Sequence, residues 1–464
     1  MTPDAAPSPI PPSAPRRLPA RTLARLLGAA PAPGTDPDAL PAVTGAAHHD
    51  GRIRPGDAFF ALPGATHHGL DHADAALAAG AALVVSDRPH PRGLVVDDPA
   101  AALLALGRWA RARLRSSVVG VTGSAGKTTA RALLAAGLDA AAGDGNLNTP
   151  HALAGRLLRA WSEDLPHPLV LEMGIDHVGE MDRLVHIVRP DVGLLTTIGP
   201  AHLDGFGDVA TVAREKGRLL HGVARGLAAL GAWRQVDADL RLRTEPYALA
   251  DGAEDAAGAA PADGVRWRGT VTGPALTPTL HVAPPGGGDA LEVALPGVGR
   301  GLAESAVGTL AVAERLGRDP RAAAARLERA RFEDGRLQVR RDGARLVIDD
   351  TYNANPTSMA QALELLHAAP GPRVALLGDM AELGAEADAA HRAMAEAARG
   401  LERVAYAGAH ADAVRAGHPG ATCGTFDDLL HLARTLPREG TVLVKASRSG
   451  RFERVVAALL GEAP

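Results

Sequence analysis

The residues with the clearest capacity for chemistry lie in GVTGSAGKTT, residues 120–129, between a predicted buried strand and a predicted helix. Glycines let the backbone approach a phosphate, and N–H groups at a helix N-terminus can bind its oxygens. Lys127 would reach the β- and γ-phosphates, and the Thr128 hydroxyl would bind magnesium. Val121 stands where the usual pattern has its first glycine, and a glycine-rich turn with a solvated lysine is the alternative. The predicted phosphate contacts are Gly123, Ser124, Ala125, Gly126, Lys127, Thr128 and Thr129.

Two further side chains are candidates for a metal site beside this loop. Glu172 ends the apolar strand PLVLE, and P-loop enzymes hold magnesium with a carboxylate at the end of a neighbouring strand. His202 lies in IGPAHLDGFG, after the next strand and at the same predicted edge of the sheet. A solvated strand-end glutamate and a structural histidine are the alternatives. The proximity of the phosphate loop favours the metal interpretation for Glu172, and the two interpretations of His202 stay open.

Composition singles out the lysines. The chain has 49 lysines and arginines together, and only three are lysines: Lys127, Lys216 and Lys445. Where arginine has replaced lysine so widely, a retained lysine indicates a position at which a guanidinium fails. Lys216, in the predicted helix VAREKGRLL, therefore indicates a specific amine chemistry, with an ordinary solvated lysine as the alternative. Lys445, at the end of the strand VLVKA, and Arg448, which follows it, are candidates for binding an anionic substrate, or are solvated charges at a helix start.

Asparagine is equally rare, with four residues in two loops. GDGNLNTP (143–150) and IDDTYNANPTSM (348–359) are these loops. Asparagine favours turns, but turn positions would accept aspartate or glycine in a chain of this composition. Both loops are therefore predicted to contact a ligand. The four residues are Asn146, Asn148, Asn353 and Asn355.

Overall composition excludes several classes of protein. Of the 464 residues, 46% are hydrophobic and 22% are charged, which is enough apolar material for full cores and excludes a disordered chain. A net charge of -4 gives no basic field for nucleic acid. The single cysteine, Cys423, excludes a disulfide framework and a cysteine zinc site. No apolar run is long enough to span a membrane, so we expect a cytoplasmic protein without membrane insertion.

Alternating strand and helix patterns predict an α/β protein of three domains. After a flexible tail, residues 1–20, we expect a small N-terminal α/β domain over 21–98. A central P-loop domain with a parallel sheet is predicted over 99–327, with an antiparallel excursion over 251–299. Residues 328–464 predict a C-terminal doubly wound, Rossmann-like domain. The predicted strands include SSVVGV (116–121), PLVLEMG (168–174), DVGLLTT (191–197), ARLVID (344–349), RVALLGD (373–379), RVAYAG (403–408) and TVLVKA (441–446).

Together these motifs resemble the Mur ligases, cytoplasmic ATP-dependent amide-forming enzymes of peptidoglycan synthesis. GVTGSAGKTT, LVLEMG, IGPAHLDGFG and REKG carry the resemblance in the central region. IDDTYNANPTSM, LLGDMAELG and VLVKASRS are similar to the branch that adds D-alanyl-D-alanine to UDP-N-acetylmuramoyl-tripeptide, as is DGRIRPGDAFFALPGATHHG (50–69). The resemblance covers nearly the whole chain after the tail, with three domains in the family order.

The resemblance implies that ATP phosphorylates the terminal carboxylate of the UDP-linked tripeptide and that the dipeptide amine attacks the acyl phosphate. It implies two magnesium ions, one on Thr128 and Glu172 and one on His202. Lys216 matches a lysine that carbon dioxide carbamylates, and the carbamate helps to orient the second ion. The expected protein is a monomer that acts on these two substrates and binds no nucleic acid. The expected catalytic residues are Lys127, Glu172, His202 and Lys216. The expected nucleotide contacts include Arg336, Asp350, Tyr352, Asn353 and Asn355. The expected substrate contacts are Asp50, Arg52, Asn148, Thr149, Lys445 and Arg448.

Three stretches depart from the family pattern. The family's Asp-Ser-Arg string reads Asp50-Gly51-Arg52, and its central Asn-Asn reads Leu147-Asn148-Thr149. The helix start GRGLAES (299–305) has Ser305 where the family has an adenine-side asparagine. Another Mur-type ligase with a different amino acid or a folate substrate, and a non-catalytic P-loop homologue, are the alternatives. A regulatory GTPase is disfavoured because the chain has no Asn-Lys dipeptide for guanine.

Overall fold

The computed structural model describes residues 14–64, 66–143, 148–250, 264–285 and 287–462. These residues form three β-sheets of five, nine and six strands, with helices packed around them. The three-domain α/β class predicted from the sequence is therefore confirmed. None of the described helices is long and apolar enough to cross a membrane. The chain divides into two compact units, the first built from the chain up to Ser117, Gly143–Leu169 and His186–Arg189, and the second from Val118–Ala142, Val170–Val185 and the chain from Pro190 onward.

The N-terminal domain is built on the five-stranded sheet. Its elements are β1 (Ala30–Pro31), β2 (Gly45–Ala47), β3 (Asp57–Phe60), β4 (Leu83–Ser86), β5 (Gly93–Val95), α1 (Ala20–Leu27), α2 (Ala73–Ala78) and α3 (Pro99–Arg111). The strand order is β1-β5-β4-β3-β2, with β1 antiparallel and the other strands parallel. Pro99 begins α3, and the Asp98 carboxylate caps it by accepting a hydrogen bond from the N–H of Ala101. Of the predicted flexible tail, residues 1–20, the first 13 lie outside the described residues, whereas Leu18 pairs with Val43 and Ala20 begins α1, so the end of that segment is part of the folded domain.

The central domain is built on the nine-stranded sheet. Its strands are β6 (Val118–Thr122), β7 (Ala141–Ala142), β8 (Leu169–Glu172), β9 (Val192–Leu195), β10 (Arg225–Ala229), β11 (Thr244–Leu249), β12 (Trp267–Thr272), β13 (Thr279–Ala283) and β14 (Leu291–Ala294). Its helices are α4 (Lys127–Gly137), α5 (Pro150–Ser162), α6 (Glu180–Val188), α7 (Leu203–Phe206), α8 (Val209–His221), α9 (Leu230–Trp233), α10 (Ala238–Arg243), α11 (Arg300–Arg315) and α12 (Pro320–Ala324).

The nine strands follow the order β14-β13-β12-β11-β10-β9-β6-β8-β7. Four neighbouring pairs in this order are parallel: β6 with β9, β9 with β10, β10 with β11, and β11 with β12. The pairs β12 with β13 and β13 with β14 are antiparallel. The antiparallel excursion predicted over 251–299 is confirmed for these strands, and its residues 251–263 lie outside the described part of the chain. Residues 144–147, which include the predicted ligand contact Asn146, also lie outside it. The apolar face of α11 packs on this sheet in one buried core with Leu133, Leu194 and Trp267.

Helix α5 belongs to the first compact unit, where it packs on α3. Gly107 permits this approach, because a Cβ there would lie 2.5 Å from the Cβ of Ala154. The rings of Trp109 and Trp161 pack edge to face with centroids 4.9 Å apart. The chain thus returns to its N-terminal unit immediately after the loop that carries Asn148.

The C-terminal domain is built on the six-stranded sheet. Its elements are β15 (Gln338–Asp342), β16 (Arg345–Asp350), β17 (Arg373–Gly378), β18 (Arg403–Ala407), β19 (Thr422–Gly424), β20 (Thr441–Lys445), α13 (Pro356–His367), α14 (Ala387–Ala397), α15 (Ala411–Gly417), α16 (Phe426–Thr435) and α17 (Glu453–Leu460). The order is β15-β16-β20-β17-β18-β19, with only β15 antiparallel among these strands. Leu376 and Leu377 of β17 enter separate cores on opposite faces, which is typical of a sheet covered by helices on both sides.

Candidate active site

The phosphate loop connects β6 to α4 in the second compact unit. β6 ends at Thr122 and α4 begins at Lys127, as predicted. Gly126 has a φ of 79°, a left-handed conformation that glycine adopts without strain. Gly123 lies so close to Thr196 that a Cβ would collide with the threonine hydroxyl. Both glycines are therefore needed for this loop, which ends at a helix N-terminus suited to a phosphate.

Residues that follow β9 hold the phosphate loop. The N–H of Ser124 donates to the carbonyl oxygen of Thr197 at 2.7 Å, and its hydroxyl donates to the carbonyl of Gly199 at 2.9 Å. The hydroxyls of Thr196 and Thr197 donate to the carbonyl of Ala125 at 2.6 and 3.0 Å. These contacts hold the loop to the segment that follows β9. Sequence reasoning missed both threonines, although they end the predicted strand DVGLLTT.

The first residues of α4 meet the acidic end of β8. The Thr128 hydroxyl donates to Oε2 of Glu172 at 2.8 Å, and both residues are buried. Nζ of Lys127 donates to the carbonyl of Gly123 at 2.8 Å. Burial lowers the pKa of Lys127, and the Glu172 carboxylate acts in the opposite direction. The hydroxyl and carboxylate together offer the oxygen ligands that magnesium prefers.

His202 lies beyond β9, at the N-terminus of α7. Its Nδ1 lies 3.3 Å from Oδ1 of Asp176 and 2.5 Å from Oε2 of Glu382. Burial lowers the pKa of His202, while the Asp176 carboxylate opposes this shift. A neutral imidazole with one nitrogen held by carboxylates can offer its other nitrogen to a metal ion. Sequence reasoning did not identify Asp176, which follows the strand that carries Glu172.

Lys216 lies on α8 with no exposed surface. Its Nζ has no hydrogen-bond partner among the described residues, and it lies 5.7 Å from the ring centroid of Phe206. Burial lowers the pKa of Lys216 to about 7, and the charge of Lys127 adds to the shift. The neighbouring Glu215 is engaged elsewhere, since it accepts a hydrogen bond from the N–H of Gly179 at 2.7 Å. Lys216 is therefore a buried amine that can be neutral near pH 7.

Lys445 lies at the end of β20, also buried, but its amine is paired. Nζ lies 2.5 Å from Oδ2 of Asp350 and donates to the carbonyl of Asn353 at 2.9 Å. The side chain of Asn353 accepts a hydrogen bond from the N–H of Ala354. Lys445 thus joins β20 to the loop after β16, and its predicted substrate contact stays a prediction.

Three of the predicted ligand contacts, a tyrosine and two arginines, lie close together. The guanidinium of Arg336 lies 3.7 Å from the ring centroid of Tyr352, and that of Arg448 lies 5.7 Å from it. Nε of Arg336 is buried without a hydrogen-bond partner among the described residues. Oε2 of Glu333, a residue that sequence reasoning missed, lies 3.6 Å from Nη2 of Arg336. This cluster presents positive charge beside an aromatic face.

Asn355 connects the C-terminal domain to the phosphate loop. Its side-chain oxygen accepts a hydrogen bond from the N–H of Ser358 and caps α13. Its Nδ2 donates to the carbonyl of Ser124 at 3.0 Å. The structure therefore brings this predicted nucleotide contact to the phosphate loop.

The first compact unit has its own cavity of about 1,550 Å³, which includes open solvent. Arg52 and Thr149, both predicted substrate contacts, line it together with Arg156 and Arg159 of α5, which sequence reasoning missed. Arg159 forms an ion pair with Asp57. The arginines favour an anionic ligand. The predicted contacts Asp50 and Asn148 are not among the residues that line the cavity.

Two histidines lie in the wall of this cavity. The rings of His48 and His151 have centroids 5.6 Å apart. Burial lowers the pKa of His48 to about 4, with a further contribution from His151. Nε2 of His151 is buried with no hydrogen-bond partner among the described residues. The cavity wall therefore contains two histidine rings whose neutral form is favoured by burial, one of them with a buried ring nitrogen that has no described partner.

Three family models match this chain. They describe the Mur ligase family catalytic domain over 24–102, the Mur ligase middle domain over 121–244 and the Mur ligase glutamate ligase domain over 335–448. UDP-N-acetylmuramoyl-tripeptide–D-alanyl-D-alanine ligase of Escherichia coli strain K12 is 34% identical over 431 residues, which cover 88% of this chain and 92% of the relative. The chain belongs to the Mur ligase family. The resemblance carried by the motifs is confirmed.

Solved structures of Mur ligases agree with this assignment. A crystal structure of MurF from Acinetobacter baumannii superposes with a TM-score of 0.82 at 25% identity, covering 97% of this chain and all of that chain. MurF ligase from Thermotoga maritima in complex with ADP has a TM-score of 0.75 at 26% identity, covering 90% of this chain and 98% of that chain. The three-domain arrangement of the Mur ligase fold is therefore present along nearly the whole chain.

Proposed function

We propose that this Mur ligase uses ATP to join D-alanyl-D-alanine to UDP-N-acetylmuramoyl-tripeptide in peptidoglycan precursor synthesis. The observation that carries the proposal is the buried amine of Lys216, which finds no hydrogen-bond partner in the part of the chain that the structure describes and interacts electrostatically with Lys127 and Glu172 beside a phosphate loop. The named relatives support the choice of substrates. We further propose a monomer that acts in the cytoplasm, where ATP is available, without binding nucleic acid.

The proposed reaction has two steps. A carboxylate oxygen of the tripeptide attacks the γ-phosphorus of ATP, which forms an acyl phosphate and releases ADP. The amine of the dipeptide then attacks the acyl carbon, forms the amide, loses a proton and displaces phosphate. Because little covalent chemistry falls to the protein, catalysis depends on positioning and charge neutralisation. Lys127 and the N–H groups at the start of α4 are suited to the phosphates.

The side chains around the loop fit the two magnesium ions that the family implies. Thr128 and Glu172 would hold the first ion with a hydroxyl and a buried carboxylate. His202 would hold the second through the nitrogen that faces neither Asp176 nor Glu382. When bound, the ions neutralise phosphate charge and polarise the phosphoryl oxygens.

Lys216 is proposed to carry a carbamate. Its Nζ would attack carbon dioxide, forming a C–N bond and releasing a proton, which requires a neutral amine. Burial supplies that state because the pKa of Lys216 falls to about 7. The carbamate oxygens would orient the second ion, and arginine cannot replace lysine because a guanidinium offers no neutral amine.

The remaining predicted contacts divide between the nucleotide and the UDP-linked substrate. Arg336 and Tyr352 are proposed to contact the nucleotide together with Asp350, Asn353 and Asn355. The arginine-lined cavity of the first compact unit suits the diphosphate of the UDP-sugar. Asp50, Arg52, Asn148, Thr149, Lys445 and Arg448 are the proposed substrate contacts.

Phosphate release, measured with each substrate omitted in turn, tests the proposed function. We expect turnover only when ATP, UDP-N-acetylmuramoyl-tripeptide and D-alanyl-D-alanine are all present. Single amino acids in place of the dipeptide should give little product. Release that does not require the dipeptide, or equal turnover with a single amino acid, would reject this function in favour of another Mur-type activity.

A further inference from the structure

Two strained residues of different domains meet beside the candidate metal site. His202 of the central domain and Glu382 of the C-terminal domain have φ of 52° and 62°. Non-glycine residues enter this left-handed region rarely and at an energetic cost, and such residues concentrate at functional sites. Nδ1 of His202 lies 2.5 Å from Oε2 of Glu382. The strain is therefore located on both sides of one interdomain contact.

The geometry of the histidine ring determines what this contact can do. Asp176 approaches the same nitrogen as Glu382, with Oδ1 3.3 Å from Nδ1. Two carboxylates facing Nδ1 favour the tautomer with its proton on that nitrogen, which leaves the lone pair on Nε2. A metal-bound histidine usually has this arrangement, because a carboxylate on the second nitrogen fixes the tautomer and the ring orientation.

We propose that Glu382 positions His202 as a metal ligand, so that the C-terminal domain completes the second metal site of the central domain. The inference rests on the proposed function, which makes His202 a ligand. Beyond that role of His202, the affinity of the central domain for the second metal ion depends on the carboxylate of Glu382, which belongs to the C-terminal domain.

Other contacts hold the two domains together around this pair. Asn355 donates to the carbonyl of Ser124 in the phosphate loop at 3.0 Å. Gly199 lies so close to Thr357 of α13 that a Cβ would collide with the threonine hydroxyl. Glu382 is thus carried on a domain that is docked at the phosphate loop by independent contacts.

Binding of Mn2+ as a probe for magnesium tests the proposal without measuring catalysis. Titration calorimetry with the full chain in bicarbonate buffer would compare wild type with Glu382→Ala, Glu382→Gln and His202→Ala. The matched control is Glu386→Gln, which neutralises an exposed acid in the same loop with no described contact to His202. We expect Glu382→Ala to weaken Mn2+ binding at the His202-dependent site about tenfold, Glu382→Gln to weaken it less, and Glu386→Gln to have no effect.

The tautomer of His202 provides a second measurement that general destabilisation would not change. In nitrogen NMR of histidine-labelled protein, we expect the proton on Nδ1 in wild type and a mixture of tautomers in Glu382→Ala. If His202→Ala weakens Mn2+ binding but Glu382→Ala matches wild type in affinity and tautomer, this proposal is overturned and the proposed function stands. If His202→Ala leaves Mn2+ binding unchanged, the ligand role of His202 fails, and the proposal fails with it.

Discussion

Two buried lysines, one in the central domain and one in the C-terminal domain, have opposite surroundings. Lys216 and Lys445 are 0% and 1% exposed. Lys445 has a carboxylate partner in Asp350 and a carbonyl partner in Asn353, whereas Nζ of Lys216 has no hydrogen-bond partner among the described residues. Burial of an unpaired charge is costly, so the Lys216 site favours the neutral amine. The comparison separates a buried amine without a described partner, for which we propose a carbamate, from one held in an internal ion pair.

The largest expected effect is on catalysis at Lys216. Lys216→Met should lower turnover by about 1,000-fold, roughly 4 kcal/mol, because it removes the amine that we propose to carry the carbamate orienting the second ion. Added bicarbonate should not restore activity, since no amine remains to react. Phosphate release measures the effect, and Arg214→Met, which replaces a half-exposed cation of the same helix, is the matched control that should keep its activity. Near-normal turnover of Lys216→Met would mean that catalysis does not require the Lys216 amine, and the proposed difference in role between Lys216 and Lys445 would be wrong.

The next effect is on stability at Lys445. Lys445→Met should lower the free energy of unfolding by about 3 kcal/mol, because Asp350 keeps a mostly buried carboxylate without its cation. Denaturant unfolding measures this change. The double variant Lys445→Met with Asp350→Asn is the control and should recover part of the loss, since it removes the orphaned charge. A stability change below about 0.5 kcal/mol would show that the pair contributes little.

Lys216→Met should change stability in the opposite direction. Burial lowers the pKa of Lys216 to about 7, so between pH 7 and the ordinary lysine range the unfolded chain binds a proton that the folded chain does not. Wild-type stability therefore gains with rising pH from this group. In buffer free of carbon dioxide, where the amine carries no carbamate, we expect Lys216→Met to be more stable than wild type by about 2 kcal/mol near pH 7, with the difference shrinking toward pH 10. Unfolding at several pH values measures it, and a constant difference would contradict the pKa shift.

The smallest expected effect on stability is at Asn355, which links the C-terminal domain to the phosphate loop of the central domain. Asn355→Ala should cost about 1 kcal/mol because α13 loses its cap. Asn355→Asp keeps the capping oxygen but cannot donate to Ser124, so it should leave stability nearly unchanged and weaken ATP binding. Unfolding and nucleotide titration separate these two roles. Equal behaviour of both variants would mean that the Ser124 contact has no separate role.

Much of this architecture could be predicted from the sequence. Apolar runs bounded by glycine and polar residues identify the buried strands, and GVTGSAGKTT identifies the phosphate loop, because these signals are local. Because lysine is rare in this chain, the sequence identified both Lys216 and Lys445 as candidate functional residues. Composition could not show which of the two amines has a hydrogen-bond partner in the fold. That difference depends on which side chains the fold brings to each buried site.

Contacts between distant segments could not be predicted. Glu382 follows β17 in a loop with other acidic residues, and no local pattern says that it reaches His202. Arg156 and Arg159 appear in the sequence as ordinary charges of a helix, and only the packing of α5 on the N-terminal unit brings them to the cavity. The predicted domain boundaries at 98 and 327 stay predictions.

Carbon NMR of the protein equilibrated with ¹³C-bicarbonate tests whether Lys216 carries a carbamate. We expect a carbamate signal in wild type that persists in Lys445→Met and is absent in Lys216→Met, because the Lys445 amine is held by Asp350 whereas Nζ of Lys216 has no hydrogen-bond partner among the described residues. If wild type gives no such signal, or if the signal survives in Lys216→Met, Lys216 is not the site of a carbamate.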